Sequence, residues 1–178
     1  MYRIKGDKRT MQSAEKIKEG MRNCIKGKKI GDICVSEIAM AGGVSRSTFY
    51  RLFDTPTDVL EYMCDTFAEE LVCKIKKLEA GERRRSSFHF LKFWMEHDEI
   101  IEDIFRSGRP GIFQKSFEKY SCMYMPERAE FLNSEQGEYI KASFGAVLGS
   151  ILYVWIRHGK KESPEQLFEL YSNFRMED

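Results

Sequence analysis

The chain has 178 residues, of which 42% are hydrophobic and 32% are charged, and its net charge is +1. This is the composition of an ordinary globular protein, and it excludes a disordered or fibrous chain. The basic start, residues 1–9, has no apolar segment behind it, and the longest apolar run, residues 142–156, is shorter than the roughly 20 residues of a membrane helix. We therefore expect a cytoplasmic protein that contacts no membrane.

The distribution of charge and the spacing of the cysteines indicate which kinds of partner and site to expect. Residues 1–56 carry 12 basic and 6 acidic side chains, a net charge of +6, whereas the remainder carries 17 and 22, a net charge of −5. A polyanion is therefore expected to bind the N-terminal third. The five cysteines include no Cys-x-x-Cys pair, which predicts reduced thiols and neither a metal site nor a cofactor.

Helical periodicity begins near the N-terminus. Apolar residues recur there at spacings of three and four, at Ala14, Ile17, Met21 and Cys24. This pattern predicts an amphipathic first helix that ends near Gly27. No segment of the chain shows the alternation of a strand, so the predicted fold class is all-α.

The next segment, VSEIAMAGGVSRSTFYRLF at residues 35–53, meets the steric requirements of a helix-turn-helix. We predict a short second helix from Val35, a turn at Gly43, where a positive φ is needed, and a third helix that Ser45 caps. The predicted scaffold positions are small or apolar: Ile38, Ala39, Gly43, Val44, Phe49 and Leu52. Such a scaffold holds the third helix so that its outward face fits the major groove of DNA.

The predicted outward face of the third helix is rich in hydrogen-bond donors. It consists of Arg46, Ser47, Thr48, Tyr50 and Arg51. An arginine has the forked geometry that matches a guanine edge, and a threonine suits a phosphate or a thymine methyl group. A solvated helix surface without any partner is the other interpretation of these residues.

A fourth helix is predicted after Asp54, followed by helices near residues 83–106, 111–124 and 135–158. Gly159 suits the left-handed residue after the helix 135–158, and Ser163 with Gln166 forms a capping box for a final helix. The predicted organisation is a three-helix DNA-binding domain at 1–56 and a helical-bundle domain for dimerisation and ligand binding at 57–178.

Apolar residues suggest two functions for the second domain. The helix 135–158 is apolar almost all round, and together with the final helix it predicts a dimer interface. The residues expected there are Phe144, Leu148, Ile151, Leu152, Trp155, Phe168 and Tyr171. Aromatic residues of the middle helices can line a pocket for a flat or greasy ligand, and the candidates are Phe93, Trp94, Phe105, Phe117 and Tyr120. The alternatives are a monomeric core helix and a closed aromatic core.

The run from Ile38-Ala39 through Gly43-Val44-Ser45 to Phe53 resembles the signature of the TetR family of transcriptional regulators, and the resemblance is specific over residues 9–63. It implies an all-helical homodimer, usually a repressor, in which a small ligand in the C-terminal body re-spaces two recognition helices on palindromic operator DNA. The implied base contacts are Arg46, Ser47 and Thr48, and the implied phosphate contacts are Tyr50, Lys8 and Arg9.

Two departures from the family pattern keep a second function open. Leu52 stands where the family often has a histidine, and residues 55–58 lack the family's phosphate-binding lysine. The alternative is a TetR-like coactivator that docks on a protein partner instead of DNA. An enzyme is not expected, because the sequence has no glycine-rich phosphate loop, no nucleophile elbow and no carboxylate pair beside a histidine.

Overall fold

The computed structural model describes residues 2–4, 7–83 and 85–175, and for 174 and 175 only the backbone. The described chain is all-α and contains no strand, which confirms the predicted fold class. In chain order the helices are α1 (Lys8–Ile25), α2 (Val35–Ala41), α3 (Arg46–Leu52), α4 (Pro56–Lys76), α5 (Ala80–Arg83), α6 (Ser86–Glu96), α7 (Asp98–Arg106), α8 (Gly111–Tyr124), α9 (Ala129–Leu132), α10 (Glu135–Arg157) and α11 (Pro164–Arg175). Single 3₁₀ turns occur at Ile30–Asp32 and Pro126–Arg128.

The helices form two compact units. The first unit comprises the described residues up to Thr66 together with Asp103–Ile112, and the second comprises Phe67–Glu102 and the described residues from Phe113 onward. Three helices, α4, α7 and α8, contribute residues to both units.

In the first unit, α1 packs on α2 and α3. Of its predicted apolar face, Ala14, Ile17 and Met21 are fully buried, and Cys24 is partly buried. The helix begins where the side chain of Asp7 accepts a hydrogen bond from the backbone N–H of Thr10 at 2.9 Å. An aspartate at this position satisfies one of the free N–H groups in the first turn.

In the second unit, α10 packs on α8 and α11 packs on α6. A Cβ added to Gly145 would lie 3.1 Å from Phe117, and one added to Gly149 would lie 3.2 Å from Phe113. These two glycines therefore allow α8 of the same chain to approach α10 closely. The contact between α6 and α11 is aromatic, with the rings of Phe88 and Phe168 centred 5.6 Å apart.

The end of α10 follows the sequence prediction. Gly159 is left-handed, with φ of 79°, and Lys160 is also left-handed, with φ of 60°. The ammonium of Lys160 lies 2.7 Å from the carboxylate of Asp98 and 2.6 Å from that of Glu102, and these contacts hold the strained residue in place.

The capping box that precedes α11 is also confirmed. The Ser163 N–H donates to the Gln166 side chain at 2.8 Å, and the Gln166 N–H donates to the Ser163 hydroxyl at 3.3 Å. Both bonds satisfy backbone donors that the first turn of α11 leaves free.

The predicted helix at residues 83–106 is wrong in one respect, because it is broken at His97. That residue leaves helical geometry, with φ of −118° and ψ of 41°. Its ring packs against Phe93 at 4.4 Å and Phe67 at 5.0 Å between centroids. The next helix then starts at Asp98, whose negative charge suits a helix N-terminus.

Candidate nucleic-acid interface

The turn between α2 and α3 has the geometry predicted from the sequence. Gly43 has φ of 62°, a conformation that a Cβ would strain. The N–H of Val44 donates to the carbonyl of Ala39 at 2.9 Å. The hydroxyl of Ser45 accepts the N–H of Thr48 at 3.1 Å and so caps α3. Short-range bonds thus fix where the third helix begins.

The inner side of the helix-turn-helix is closely packed. Ile38, Ala39, Phe49 and Leu52 are at most 2% exposed, whereas Val44 is only partly buried. Burial of these side chains leaves α3 little freedom to rotate about its axis. The same residues therefore determine which side of α3 faces solvent.

Two glycines that the sequence analysis missed allow α1 to cross α2 closely. A Cβ on Gly20 would lie 2.3 Å from the carbonyl oxygen of Ile38, and a Cβ on Gly42 would lie 2.3 Å from the carbonyl oxygen of Lys16. Contacts this short to backbone atoms cannot be relieved by a rotamer change. A glycine within the apolar pattern of α1 is a sequence signal that points to such a crossing.

The outer side of α3 presents the predicted donors to solvent. Arg46, Ser47, Tyr50 and Arg51 are exposed, and Thr48 is partly buried. The hydroxyls of Ser47 and Thr48 lie 2.8 Å and 2.9 Å from that of Ser45. The two arginines and the tyrosine hydroxyl can donate to an acceptor outside the chain, which is the chemistry that a phosphate or a base edge needs.

Tyr2 and Arg3 contact this unit, which the sequence analysis did not predict. The backbone N–H of Arg3 donates to the carbonyl of Leu52 at 2.8 Å. The hydroxyl of Tyr2 donates to Asp65 at 2.7 Å, and its ring lies 5.2 Å from that of Tyr62. Tyr2 and Arg3 are thereby attached to the C-terminal end of α3 and the first half of α4.

Acidic side chains occupy the start of α4, where the family resemblance implies a lysine. The carboxylate of Asp58 accepts the backbone N–H groups of Asp54 and Thr55 at 2.9 Å and 3.2 Å. Asp54 pairs with the guanidinium of Arg3 at 2.6 Å, and this hydrogen bond holds the pKa of Asp54 below its usual value. Lys8 and Arg9, which the resemblance implies as phosphate contacts, are exposed in the first turn of α1.

The predicted dimer residues divide into two groups. Leu148, Leu152, Trp155 and Tyr171 are at most 5% exposed within the single chain. They point into their own unit and have almost no surface to offer a partner, which corrects their assignment to an interface. Phe144, Ile151 and Phe168 are partly buried.

The apolar surface that remains open on α10 and α11 consists mainly of residues that were not predicted for the interface. The large side chains exposed there are Tyr139, Tyr153, Val154 and Leu170, from 41% to 74%. Two of them, Val154 and Leu170, line a groove of about 400 Å³. The other side chains lining this groove belong to Ser150, Ile151, Trp155, His158, Glu162 and Leu167. We call the four exposed side chains and this groove the open apolar face.

On length and composition alone, α10 is the one described helix that could cross a membrane. Its most apolar 18-residue window has a mean hydropathy of 1.5, and 28% of that window is buried. The observed bounds of α10 match the predicted helix 135–158 closely, and less of its apolar window is buried than in the core-helix alternative. Apolar helices of soluble proteins meet the same criterion, and the glycines of α10 contact α8 of the same chain.

The predicted ligand residues form a closed core in this structure. Phe93, Trp94, Phe117 and Tyr120, all in the second unit, are at most 4% exposed. A cleft of about 10 Å³ reaches Phe117, which is about the space of one water. Phe105 is partly buried and lies in the Asp103–Ile112 segment of the first unit. Among the described residues, no cluster of histidine, cysteine and carboxylate side chains could hold a metal.

Similarity to known proteins is confined to solved structures. No protein-family model and no curated protein matches the chain. Lin0861 from Listeria innocua is similar with a TM-score of 0.82 and 16% identity, over 97% of this chain and 94% of that one. The fatty acid degradation regulator FadR from Bacillus halodurans is similar with a TM-score of 0.53 and 14% identity, over 90% and 91%. The chain therefore has an all-helical fold that it shares with a protein described as a regulator.

Proposed function

We propose that this chain is a TetR-type transcriptional repressor that binds palindromic operator DNA through α3. The observation that carries the proposal is the outer side of α3, where Arg46, Tyr50 and Arg51 are exposed on a helix whose other side is buried. A rigid helix with outward donors suits the major groove. The similarity to FadR, described as a regulator, supports the same class of function.

We propose a homodimer as the DNA-binding form, assembled through the open apolar face. Exposed apolar residues cluster on α10 and α11, and Leu170 alone is 63% exposed. Clustered apolar surface of this kind marks protein contacts more often than isolated exposed residues do. A two-fold dimer presents two copies of α3 to two half-sites about one duplex turn, roughly 34–36 Å, apart.

A response to a small ligand completes the proposal. The aromatic residues around Trp94 form the site, and a ligand that favours one spacing of the two α3 helices changes operator affinity by its differential affinity for the two states. By linkage, operator DNA changes the affinity for that ligand by the same factor.

The experiment is selection of binding sites from random DNA duplexes with the full-length protein. The expected result is a palindrome whose half-sites are one helical turn apart, with an affinity that falls steeply as salt rises. Arg46→Ala should weaken binding by about 1–3 kcal/mol and relax one base position in each half-site. Lys8→Ala is the matched control, since loss of a phosphate contact weakens all sequences equally. Failure to enrich any sequence would contradict the proposal.

A coactivator that docks on a protein is the second candidate, and specific observations favour it. The start of α4 carries Asp58 where the family resemblance implies a cation, and the charge of Arg3 is paired with Asp54. Met40 on α2 is 80% exposed, and methionine is common at adaptable protein-binding surfaces. This candidate predicts no affinity for duplex DNA and partner binding that is insensitive to salt.

A further inference from the structure

Two polar atoms in the aromatic core of the second unit have no hydrogen-bond partner among the described residues. They are Nε1 of Trp94 and Oγ of Ser116. Trp94 is 1% exposed and Ser116 is 4% exposed, so bulk water does not reach either atom. Buried polar groups are nearly always hydrogen-bonded, and each exception calls for an explanation.

Both residues adjoin Phe113 on α8. The ring of Trp94 lies 4.9 Å from that of Phe113 on α8. Ser116 follows Phe113 by one helical turn, and Phe117 and Tyr120 continue the same buried face of α8. The hydroxyl of Tyr120 donates to Glu69 at 2.7 Å. Unlike the hydroxyl of Tyr120, the N–H of Trp94 and the O–H of Ser116 have no acceptor among the described residues.

The chemistry of these groups limits what can satisfy them. An indole N–H is a donor only, and a serine hydroxyl can donate as well, so both groups suit an acceptor. Four phenylalanine rings lie next to the indole of Trp94, those of Phe67, Phe90, Phe93 and Phe113. An acceptor that enters between these rings should be uncharged, because burying an unpaired charge is costly. The molecule that carries it should be flat and apolar, because its neighbours are aromatic rings.

We propose that Trp94 and Ser116 recognise a carbonyl-type acceptor on a neutral, flat and apolar ligand. The inference rests on the ligand response proposed above and names the chemical class of that ligand. The two residues are specificity determinants, since they choose between apolar molecules of equal shape by their hydrogen-bond acceptor. The cleft that reaches Phe90 and Phe117 has a volume of only about 10 Å³, so a ligand that enters through this cleft has to separate the rings.

The test compares ketones with hydrocarbons of matched shape. Indanone and indane, tetralone and tetralin, and fluorenone and fluorene are titrated calorimetrically into the full-length protein without DNA. We expect at least one ketone to bind about tenfold more tightly than its hydrocarbon, as one recovered buried hydrogen bond implies. Ketone selectivity and operator binding are thus measured separately, so a negative result in one measurement does not change the interpretation of the other.

Variants identify the donors. Trp94→Phe should reduce the ketone preference to about twofold or less while hydrocarbon affinity is kept, because the ring remains and the N–H is lost. Ser116→Ala, a small change at an unbonded hydroxyl, should reduce the preference by about threefold. Ser121→Ala is the matched control, since that buried hydroxyl on α8 already donates to the Glu118 carbonyl at 2.8 Å. It should leave the preference unchanged.

The location of binding has its own readout. Trp155 donates its indole N–H to the Glu162 carbonyl at 3.0 Å, so Trp155→Phe yields a protein whose indole emission comes from Trp94 alone. The ketone should change that emission at the concentrations found by calorimetry. The proposal is overturned if no ketone binds at millimolar concentration, if ketone and hydrocarbon bind equally, or if Trp94→Phe and Ser116→Ala both keep the preference.

Discussion

Two helices, α3 and α10, each bury one side in their own unit and expose opposite chemistries on the other. The outward residues of α3 include Arg46 and Arg51, whereas those of α10 include Tyr139, Tyr153 and Val154. Donors on a rigid helix suit a nucleic acid, and apolar side chains suit another protein surface. The exposed side of each helix thus indicates the kind of partner that it suits, whereas the buried side only fixes the orientation of the helix.

Substitutions on the buried and the exposed side of α10 should have the largest effects, one on stability and the other on assembly. Leu152→Ala removes a fully buried side chain and should lower the free energy of unfolding by about 2–5 kcal/mol. Val154→Glu changes a residue that is 44% exposed and should split the dimer with little loss of subunit stability. Denaturant unfolding and analytical ultracentrifugation measure the two outcomes. A dimeric Val154→Glu variant would place the interface elsewhere.

A smaller loss of stability tests the scaffold behind α3. Gly20→Ala puts a Cβ against the carbonyl oxygen of Ile38 and should destabilise the first unit by about 1–3 kcal/mol, since the backbones must separate. Ordinary helix propensity acts in the opposite direction by up to about 1 kcal/mol. Gly27→Ala is the control, because no atom lies within 4 Å of its added Cβ. Equal unfolding midpoints for the two variants would show that α1 and α2 are not in close contact.

The smallest expected effect concerns acid stability at the start of α2. A hydrogen bond from Lys28, followed by the backbone N–H of Cys34, lowers the pKa of Glu37 from 4.5 to about 2. Because the folded pKa is the lower one, the stabilisation is present above pH 4.5 and is lost as the pH falls towards 2. Glu37→Gln should therefore flatten the dependence of the unfolding midpoint on pH in this window. An unchanged slope would show that the ion pair with Lys28 does not form.

Local features such as turns and helix caps could be predicted from the sequence. The left-handed Gly43 and the caps at Ser45 and Ser163 follow from short-range backbone chemistry, which neighbouring residues determine. Gly20 within the apolar pattern of α1 signals a close approach, but the atoms that Gly20 and Gly42 meet could not be predicted, because they depend on contacts between separate helices.

Long-range packing also explains the errors. Periodicity showed that α10 is apolar on several sides, but it could not tell that Leu148 and Leu152 face α10's own unit. The break at His97 has no glycine or proline to mark it, and ring contacts with Phe67 and Phe93 stabilise it. The roles of Arg46 and the other outward residues of α3 in DNA binding stay predictions.

The most direct test of the central claim, that α3 reads base edges in the major groove, is guanine N7 methylation interference on the selected operator. We predict two clusters of interfering guanines one helical turn apart for the unmodified protein, because Arg46 pairs with the N7 and O6 acceptors of guanine. In Arg46→Ala, methylation of one guanine in each half-site should no longer matter. An identical interference pattern for both proteins, or no interference from any guanine, would contradict the account.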